Sequence, residues 1–381
     1  MVSNRATRKT TASVGTLAIA LSLTACGAFQ EEESSETSGT VTVGILAPQS
    51  GALAEDGTSY VKAATAALET LGEENNIDIE VKTYDEASST GEAVNGTKRL
   101  IQNEGASAIL SASTSGNFLA TRQIIDQAEV PVLTIATSAK VVEGNAGWTF
   151  RVSQPIPERI ADNVKFASET LQAKSVAFLQ VNDESQKAFV KGMAEQLPSI
   201  GATSVAEQYF QYTDSDFTPY LQELGGIDAD AAFLGCEVTQ CAAILDQAHK
   251  AGVQSSFVLP TAASSDDFLA NFGDVAEEAY VQTIYAPGAV PETADFEELA
   301  EKGGFVASYY SIIGYTEAKV LVDAIKEAGS GDPKDVKDAL ASGEFTTPLG
   351  AVSFEDNGQG TVPGYVAQIQ DSKYVKVWPT S

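Results

Sequence analysis

From Val41 onward, short runs rich in β-branched and small apolar residues alternate with longer runs whose apolar residues recur at helical spacing. Nothing else in the chain limits its fold as strongly. The first series reads strand 41–46, helix 60–71, strand 77–84, helix 92–103, strand 106–112, helix 117–127 and strand 130–135. Four strands with three crossovers predict one doubly wound lobe. After Trp148-Thr-Phe-Arg-Val-Ser153 a second series follows, with helix 158–171, strand 175–181, helix 186–197, strand 204–210, helix 217–224, strand 231–235, helix 241–251 and strand 256–259. The chain is therefore expected to be α/β, with two doubly wound parallel-sheet lobes and a cleft between them, because ligands bind outside the carboxyl ends of parallel strands. The remainder is less regular. It reads as a strand at 280–285, a long helix at 305–328, a short helix at 333–341, and strands over 351–369 and 374–378 interrupted by the turn Asp356-Asn357-Gly358. No short-period repeat is present, which excludes a solenoid or propeller.

The segment ahead of this pattern reads as targeting sequence. Arg5, Arg8 and Lys9 precede an apolar run over 12–25 that is too short to span a bilayer as a helix. The run ends in Leu23-Thr24-Ala25-Cys26, which resembles the bacterial lipobox, in which cleavage before the cysteine leaves its thiol diacylated. Residues 1–25 are thus expected to be a lipoprotein signal peptide and Cys26 the lipid-anchored first mature residue, with several acyl chains giving firm attachment. Residues 26–40, including the acidic, Ser/Thr-rich stretch Gln30 to Thr40, have no apolar period and read as a flexible tether.

Composition narrows the function classes. The net charge is −29, and loss of residues 1–25 would remove basic residues only. Nucleic acid is excluded as a partner. With one histidine, His249, in an Ala-His-Lys-Ala helical run, and only Cys236 and Cys241 besides Cys26, a zinc centre or a Cys/His catalytic site lacks ligands, and no metal or cofactor is expected. Cys236 and Cys241 flank a small loop at a strand-to-helix turn and are either bridged or two buried thiols; spacing alone does not decide. No Gly-x-Ser-x-Gly elbow or phosphate-cradling loop appears, so an enzyme is not expected.

Several stretches, taken in order, resemble the periplasmic binding proteins of the leucine/isoleucine/valine type, the type 1 solute-binding fold that serves ABC importers. They are Val41-Thr-Val-Gly-Ile-Leu-Ala-Pro-Gln-Ser-Gly51 with Gly57 six residues on, Tyr84-Asp-Glu86, Ser111-Ala-Ser-Thr-Ser-Gly116, Val130-Pro-Val-Leu-Thr-Ile-Ala-Thr-Ser138, Leu179-Gln-Val-Asn-Asp183 and Leu245-Asp-Gln-Ala-His-Lys-Ala-Gly252. The resemblance covers nearly all of 41–378. It implies a three-segment hinge with crossings near Val152, Val281 and Pro363, a first lobe of 41–153 plus 282–362, and a second of 154–281 plus 363–381. It also implies a monomeric receptor that captures a small solute, delivers it to ABC permease subunits and acts at the extracytoplasmic face of the membrane. A ligand sensor of the same fold, signalling to a membrane partner, is the alternative.

Ser115-Gly116 follows a strand and opens a helix, where backbone N–H groups and a hydroxyl favour an anion. The plain alternative is a helix N-cap. The resemblance places Ser115 where these proteins hold the ligand's carboxylate, and Ala136-Thr137-Ser138 in the loop that contributes a carbonyl and a hydroxyl; the plain alternative for Thr137 and Ser138 is ordinary turn residues. An aromatic wall of the family pocket is replaced here by Ser185-Gln186, and the acid that takes the ligand's ammonium group in branched-chain members by Pro260-Thr261. Glu237 or Asp183 then remains to supply that charge, with Thr261 beside them, since a buried ammonium without a carboxylate is costly. Asp56 stands where branched-chain members present a bulky aromatic. A carboxylate there suits a polar or cationic ligand tail and disfavours leucine, unless Asp56 is simply a solvated loop acid. Tyr60, Phe118, Tyr209 and Phe210 read as core or cleft-wall aromatics.

Overall fold

The computed structural model describes residues 39–51 and 53–380, so the expected signal peptide, Cys26 and nearly all of the tether lie outside the described residues. The first series forms β1 (Val41–Ala47), α1 (Ala54–Glu74), β2 (Ile79–Asp85), α2 (Thr90–Gln102), β3 (Ala108–Ser111), α3 (Ser115–Ala128), β4 (Val132–Thr134) and β5 (Thr149–Arg151). These five strands pair in the order β2-β1-β3-β4-β5, all parallel. One strand more than expected is present, because β5 has only three residues and carries no readable period.

The second series opens with α4 (Ile156–Glu169) and continues through β6 (Ser175–Val181), α5 (Glu184–Gln196), β7 (Thr203–Phe210), α6 (Thr218–Ile227), β8 (Ala231–Gly235), α7 (Val238–Ala251), β9 (Ser256–Leu259), α8 (Asp266–Phe272) and β10 (Tyr280–Thr283). The chain then runs through α9 (Ala294–Gly303), α10 (Tyr309–Ala328), α11 (Pro333–Ser342), a hairpin of β11 (Glu344–Thr347) and β12 (Gly350–Ser353), and finally β13 (Tyr365–Gln370) and β14 (Lys373–Trp378). The second sheet has the order β14-β13-β10-β9-β8-β6-β7. It is mixed: β6 to β10 pair in parallel, whereas β13 and β14 join antiparallel at one edge.

Both sheets are covered on both faces, which explains why central strands such as β3 and β8 are buried throughout instead of alternating. On the first sheet, Tyr60 and Leu68 of α1 and Ile312 and Leu321 of α10 fill one side, and Leu100, Phe118 and Ile125 of α2 and α3 fill the other. On the second, Leu221 and Leu245 of α6 and α7 lie on one side and Val164, Phe189 and Met193 of α4 and α5 on the other. Helix α10 is buried on nearly every side, as its apolar composition requires. Its Glu317 is wholly buried, where the Tyr60 hydroxyl donates to the carboxylate, and burial lifts the Glu317 pKa well above the ordinary carboxyl range.

The chain leaves the first sheet after β5, returns to its helices after β10, and passes again to the second sheet before β13. These connections are tied together. The Arg151 amide donates to the Gly358 carbonyl at 2.8 Å, the Gly360 amide donates to the Arg151 carbonyl at 2.9 Å, and the Gln282 side-chain amide donates to Gln154 at 3.1 Å. A side chain at position 360 would bring its Cβ to 2.5 Å from the Arg151 carbonyl oxygen, so glycine is required for this close approach.

Candidate functional site

All eight predicted ligand residues fall just past the carboxyl ends of parallel strands: Asp56 beyond β1, Ser115 beyond β3, Ala136, Thr137 and Ser138 beyond β4, Asp183 beyond β6, Glu237 beyond β8 and Thr261 beyond β9. The two strand-end sets belong to different sheets, and several members meet.

On the first sheet, the N-cap of α3 is Thr114, whose hydroxyl accepts from the Asn117 amide at 3.4 Å. Ser115 is therefore released from capping; its hydroxyl accepts from the Ser138 amide at 3.1 Å, which joins the β3 and β4 loops. Arg151 reaches under the same loop and donates through Nη1 to the carbonyls of Thr137 at 3.0 Å and Ser138 at 2.8 Å. Those two carbonyls are thus spoken for, and Ala136 is the loop residue whose carbonyl has no side-chain donor among the described residues. Glu86, just after β2, is buried; it accepts from the Ser113 hydroxyl and from the Asn117 side-chain amide at 3.0 Å, bracing the turn into α3.

Asp56 lies in the first turn of α1. The next residue, Gly57, packs so tightly on the preceding loop that an added Cβ would sit 2.0 Å from the Pro48 carbonyl oxygen. Asp85 fixes that loop by accepting from the Gln49 amide at 2.8 Å, the Ser50 amide at 3.2 Å and the Ser50 hydroxyl at 2.6 Å. Burial alone would raise the Asp85 pKa, but these bonds and one from the Ala87 amide outweigh it and hold the carboxyl below its ordinary value. Asp56 itself is pushed up to about 6, chiefly by burial, then by the negative charges of Glu237 and Glu55, while a hydrogen bond from Tyr310 opposes the rise. Glu237 belongs to the second sheet and Asp56 to the first, so the two sets of loops face each other here. Tyr310 stands at the start of α10, which begins at Tyr309 because Ser308 caps it, the Ser308 hydroxyl accepting from the Ser311 amide.

On the second sheet, Glu237 is the N-cap residue of α7, and the disulfide between Cys236 and Cys241 closes the turn around it, with Cα atoms 5.3 Å apart. Burial, and next the neighbouring Asp183, raises the Glu237 pKa. Asp183 has its oxygens in use: one accepts from the Gln186 amide at 2.8 Å as the N-cap of α5, and the other from the Tyr212 hydroxyl at 2.9 Å. Thr261 opens a single 3-10 turn, its carbonyl accepting from the Ser264 hydroxyl at 2.7 Å, and makes no hydrogen bond to the other seven among the described residues.

The sequence reading overlooked Arg159, Tyr309 and Tyr310. Arg159, in the first turn of α4, lies with its guanidinium over the Phe189 ring, 5.1 Å from the centroid, and Tyr309 is the ionisable group that acts on it. No group of His, Cys, Asp and Glu among the described residues is arranged to hold a metal ion. Two surface hollows of about 790 and 910 Å³ border α8, one reaching Phe272 and the other Phe305 and Tyr374, and neither contains any of the eight residues. Converging polar groups, not hollow volume, define the site.

The chain is 22% identical over 339 residues to an amino acid binding protein of Pseudomonas aeruginosa, covering 87% of this chain and 91% of that one. Its fold superposes on the substrate-binding protein of a branched-chain amino acid transporter from Streptococcus pneumoniae, solved with isoleucine, with a TM-score of 0.76 at 23% identity, over 89% of this chain and 99% of the other. A solute-binding protein from Rhodopseudomonas palustris, solved with 3,4-dihydroxy benzoic acid, matches with a TM-score of 0.76 at 20% identity, over 89% and 96% of the two chains. A family profile described as periplasmic binding protein matches residues 40–373, nearly the whole folded chain, and the protein belongs to that family of solute-binding proteins, which are not enzymes.

Proposed function

We propose that this protein is the extracytoplasmic receptor of an ABC importer, capturing an amino acid or a related amide or carboxylate between two lobes made of 41–153 plus 282–362 and 154–281 plus 363–381. The observation that carries this reading is the meeting of Asp56 and Glu237 from opposite sheets beside the Tyr310 hydroxyl, two acids with only negative neighbours acting on Asp56. An ammonium or other positive group of a solute is the natural counter-charge. Ser115 and Ser138, joined at the N-terminus of α3, supply hydroxyls and the helix dipole for a carboxylate. Ala136 offers a carbonyl, Glu237, whose charge acts on Asp56, is favoured as the ammonium partner over Asp183, both of whose oxygens accept hydrogen bonds, and Thr261 lies at the margin. The names of the relatives, which cover amino acids and a benzoic acid, support this solute class.

The lipobox-like sequence supports attachment through Cys26 to the outer face of the cell membrane, with a monomeric receptor docking on permease subunits. Cys26→Ala should shift the mature protein from the membrane to the soluble fraction; retention on the membrane would refute the anchor. For the solute, the soluble form starting after Cys26 is screened by thermal shift against amino acids, amides, ureas and small carboxylates. A solute at 100 times its Kd adds about 2.7 kcal/mol of stability. The largest shift from a branched-chain amino acid would refute the role given to Asp56, and no shift from any amino acid, amide or carboxylate would refute the solute class.

A further inference from the structure

Arg159 has no assigned role, and its surroundings are unusual for an arginine. It projects from the first turn of α4 on the second sheet's side, its flat guanidinium rests on the Phe189 ring at 5.1 Å, and its Nε is sealed from solvent with no hydrogen-bond partner among the described residues. Among the described residues the only ionisable neighbour acting on it is Tyr309, from α10 on the first sheet's side, and no carboxylate pairs with it. Enclosure without an offsetting carboxylate pulls its pKa below the usual arginine value. A cation held this way is unfavourable in the empty protein. The acids Asp56 and Glu237 do not relieve it, because the charges acting on Asp56 are Glu237 and Glu55, and that acting on Glu237 is Asp183. The seam between the sheets therefore carries an unpaired positive group at one place and unpaired negative groups at another.

We propose that Arg159 is an anion subsite of the binding cleft, its guanidinium receiving a carboxylate of the solute while Asp56 and Glu237 receive the positive end. This rests on the solute-receptor reading above and adds to it a second-lobe contact of opposite sign to those of the acids. The centroid of the Phe189 ring lies 5.1 Å from the guanidinium carbon, and a planar guanidinium can receive a carboxylate through two N–H groups at once, which lysine cannot reproduce. The solutes it fits are dipolar, with a carboxylate and a cation far enough apart to reach both places.

The test combines a solute change with a residue change. Wild-type protein, Arg159→Gln and Arg159→Lys are titrated calorimetrically with L-glutamate and L-glutamine, with L-leucine and L-leucinamide, and with benzoate and benzamide. For a pair in which the carboxylate form binds, the wild type should prefer it over the amide by at least tenfold, and Arg159→Gln should abolish most of that preference while changing amide binding little. Arg159→Lys should retain only part of it. Equal loss for both forms, or none, would overturn the anion subsite while leaving the receptor reading intact. If no probe binds, the subsite is decided on protein stripped of ligand by unfolding and refolding. There Arg159→Met should melt at the same temperature as the wild type or higher, because it removes an uncompensated charge and keeps the stem on Phe189. A fall of several degrees would show that Arg159 is a structural cation and overturn the proposal.

Discussion

Replacing Asp56 with asparagine tests whether the acid faces an enclosed, negatively charged site. Its carboxyl is raised from 3.8 to about 6, first by burial and next by Glu237. The folded protein therefore holds a proton more tightly than the unfolded chain does. Stability is highest below the unfolded pKa and declines as pH rises from about 4 to about 6. A shift of two pKa units corresponds to about 3 kcal/mol, which partial exposure to water reduces to roughly 1.5–3 kcal/mol. For about 340 folded residues, 1 kcal/mol moves Tm by about 1.4 °C. Ligand-free Asp56→Asn should thus melt about 2–4 °C above the wild type at pH 7 and match it at pH 4, because the amide accepts the Tyr310 hydroxyl bond without carrying charge. The assay is a fluorescence melt of refolded, ligand-free protein at half-unit steps from pH 4 to 8. The same substitution should weaken a cationic solute by about 10- to 100-fold at pH 7, the loss of one hydrogen-bonded charge contact. Equal pH dependence in the two proteins would refute the enclosed setting of Asp56, and the case for a positively charged solute group would fall with it.

Glu317→Gln should leave Tm at pH 7 unchanged or raise it, since burial disfavours the charged form of the acid beside Tyr60, and should flatten the decline in stability that a raised carboxyl pKa produces as pH rises above about 4.5. Glu317→Ala, by contrast, should cost about 2–4 kcal/mol in denaturant melts by leaving the Tyr60 hydroxyl unpaired beside a cavity. Opening the Cys236–Cys241 bridge with the double serine variant should cost about 2 kcal/mol, the closure entropy of so short a loop, and should loosen solute binding through the Glu237 turn. Unchanged affinity in calorimetry would show that the turn holds without it. Ser115→Ala should leave Tm within about a degree, because Thr114 supplies the cap, while lowering affinity for a carboxylate solute by roughly 10-fold or more.

The lobes were readable from sequence because long buried strands declare themselves: β6 spans the expected 175–181, and β3 falls within 106–112. Short elements did not. Strand β5, three residues long, has no period, and α8, seven residues long, has too few turns to show an apolar stripe. The start of α10 was misplaced by four residues because Phe305 continues the apolar pattern, whereas Ser308 decides where the helix begins; that shift puts Tyr309 and Tyr310 in the first turn, beside the site. The strand-end positions of Asp56, Ser115 and Glu237 were legible because each follows a readable strand. Arg159 and Tyr310 were not, since what gives them meaning is a partner more than a hundred residues away in sequence, Tyr309 from the other sheet's side for Arg159 and Asp56 for Tyr310. Asp183 shows the opposite failure: a strand-end acid that looked free is occupied by its own helix and by Tyr212.

The distribution of charge across the seam bears on how a receptor of this kind would respond to its solute. Asp56 and Glu237 come from different sheets, and the charge of Glu237 raises the cost of ionising Asp56, so at neutral pH bringing the sheets together without a guest sets like charges face to face. Arg159, on the same second side as Glu237, approaches Tyr309, a neutral phenol that burial holds up to about 12 and that offers no counter-charge. Both features disfavour the empty closed form and are reversed by a dipolar solute, whose cation lies between the acids and whose carboxylate meets the guanidinium. Binding energy is then realised chiefly in the closed arrangement, and a ligand shifts a conformational equilibrium only by its difference in affinity for the two states. The hydrogen bonds at Arg151, Gln154 and Gln282 tie together the connections that a bending motion between the two states would use. Closure is thus made conditional on a guest by unpaired charge rather than by shape alone.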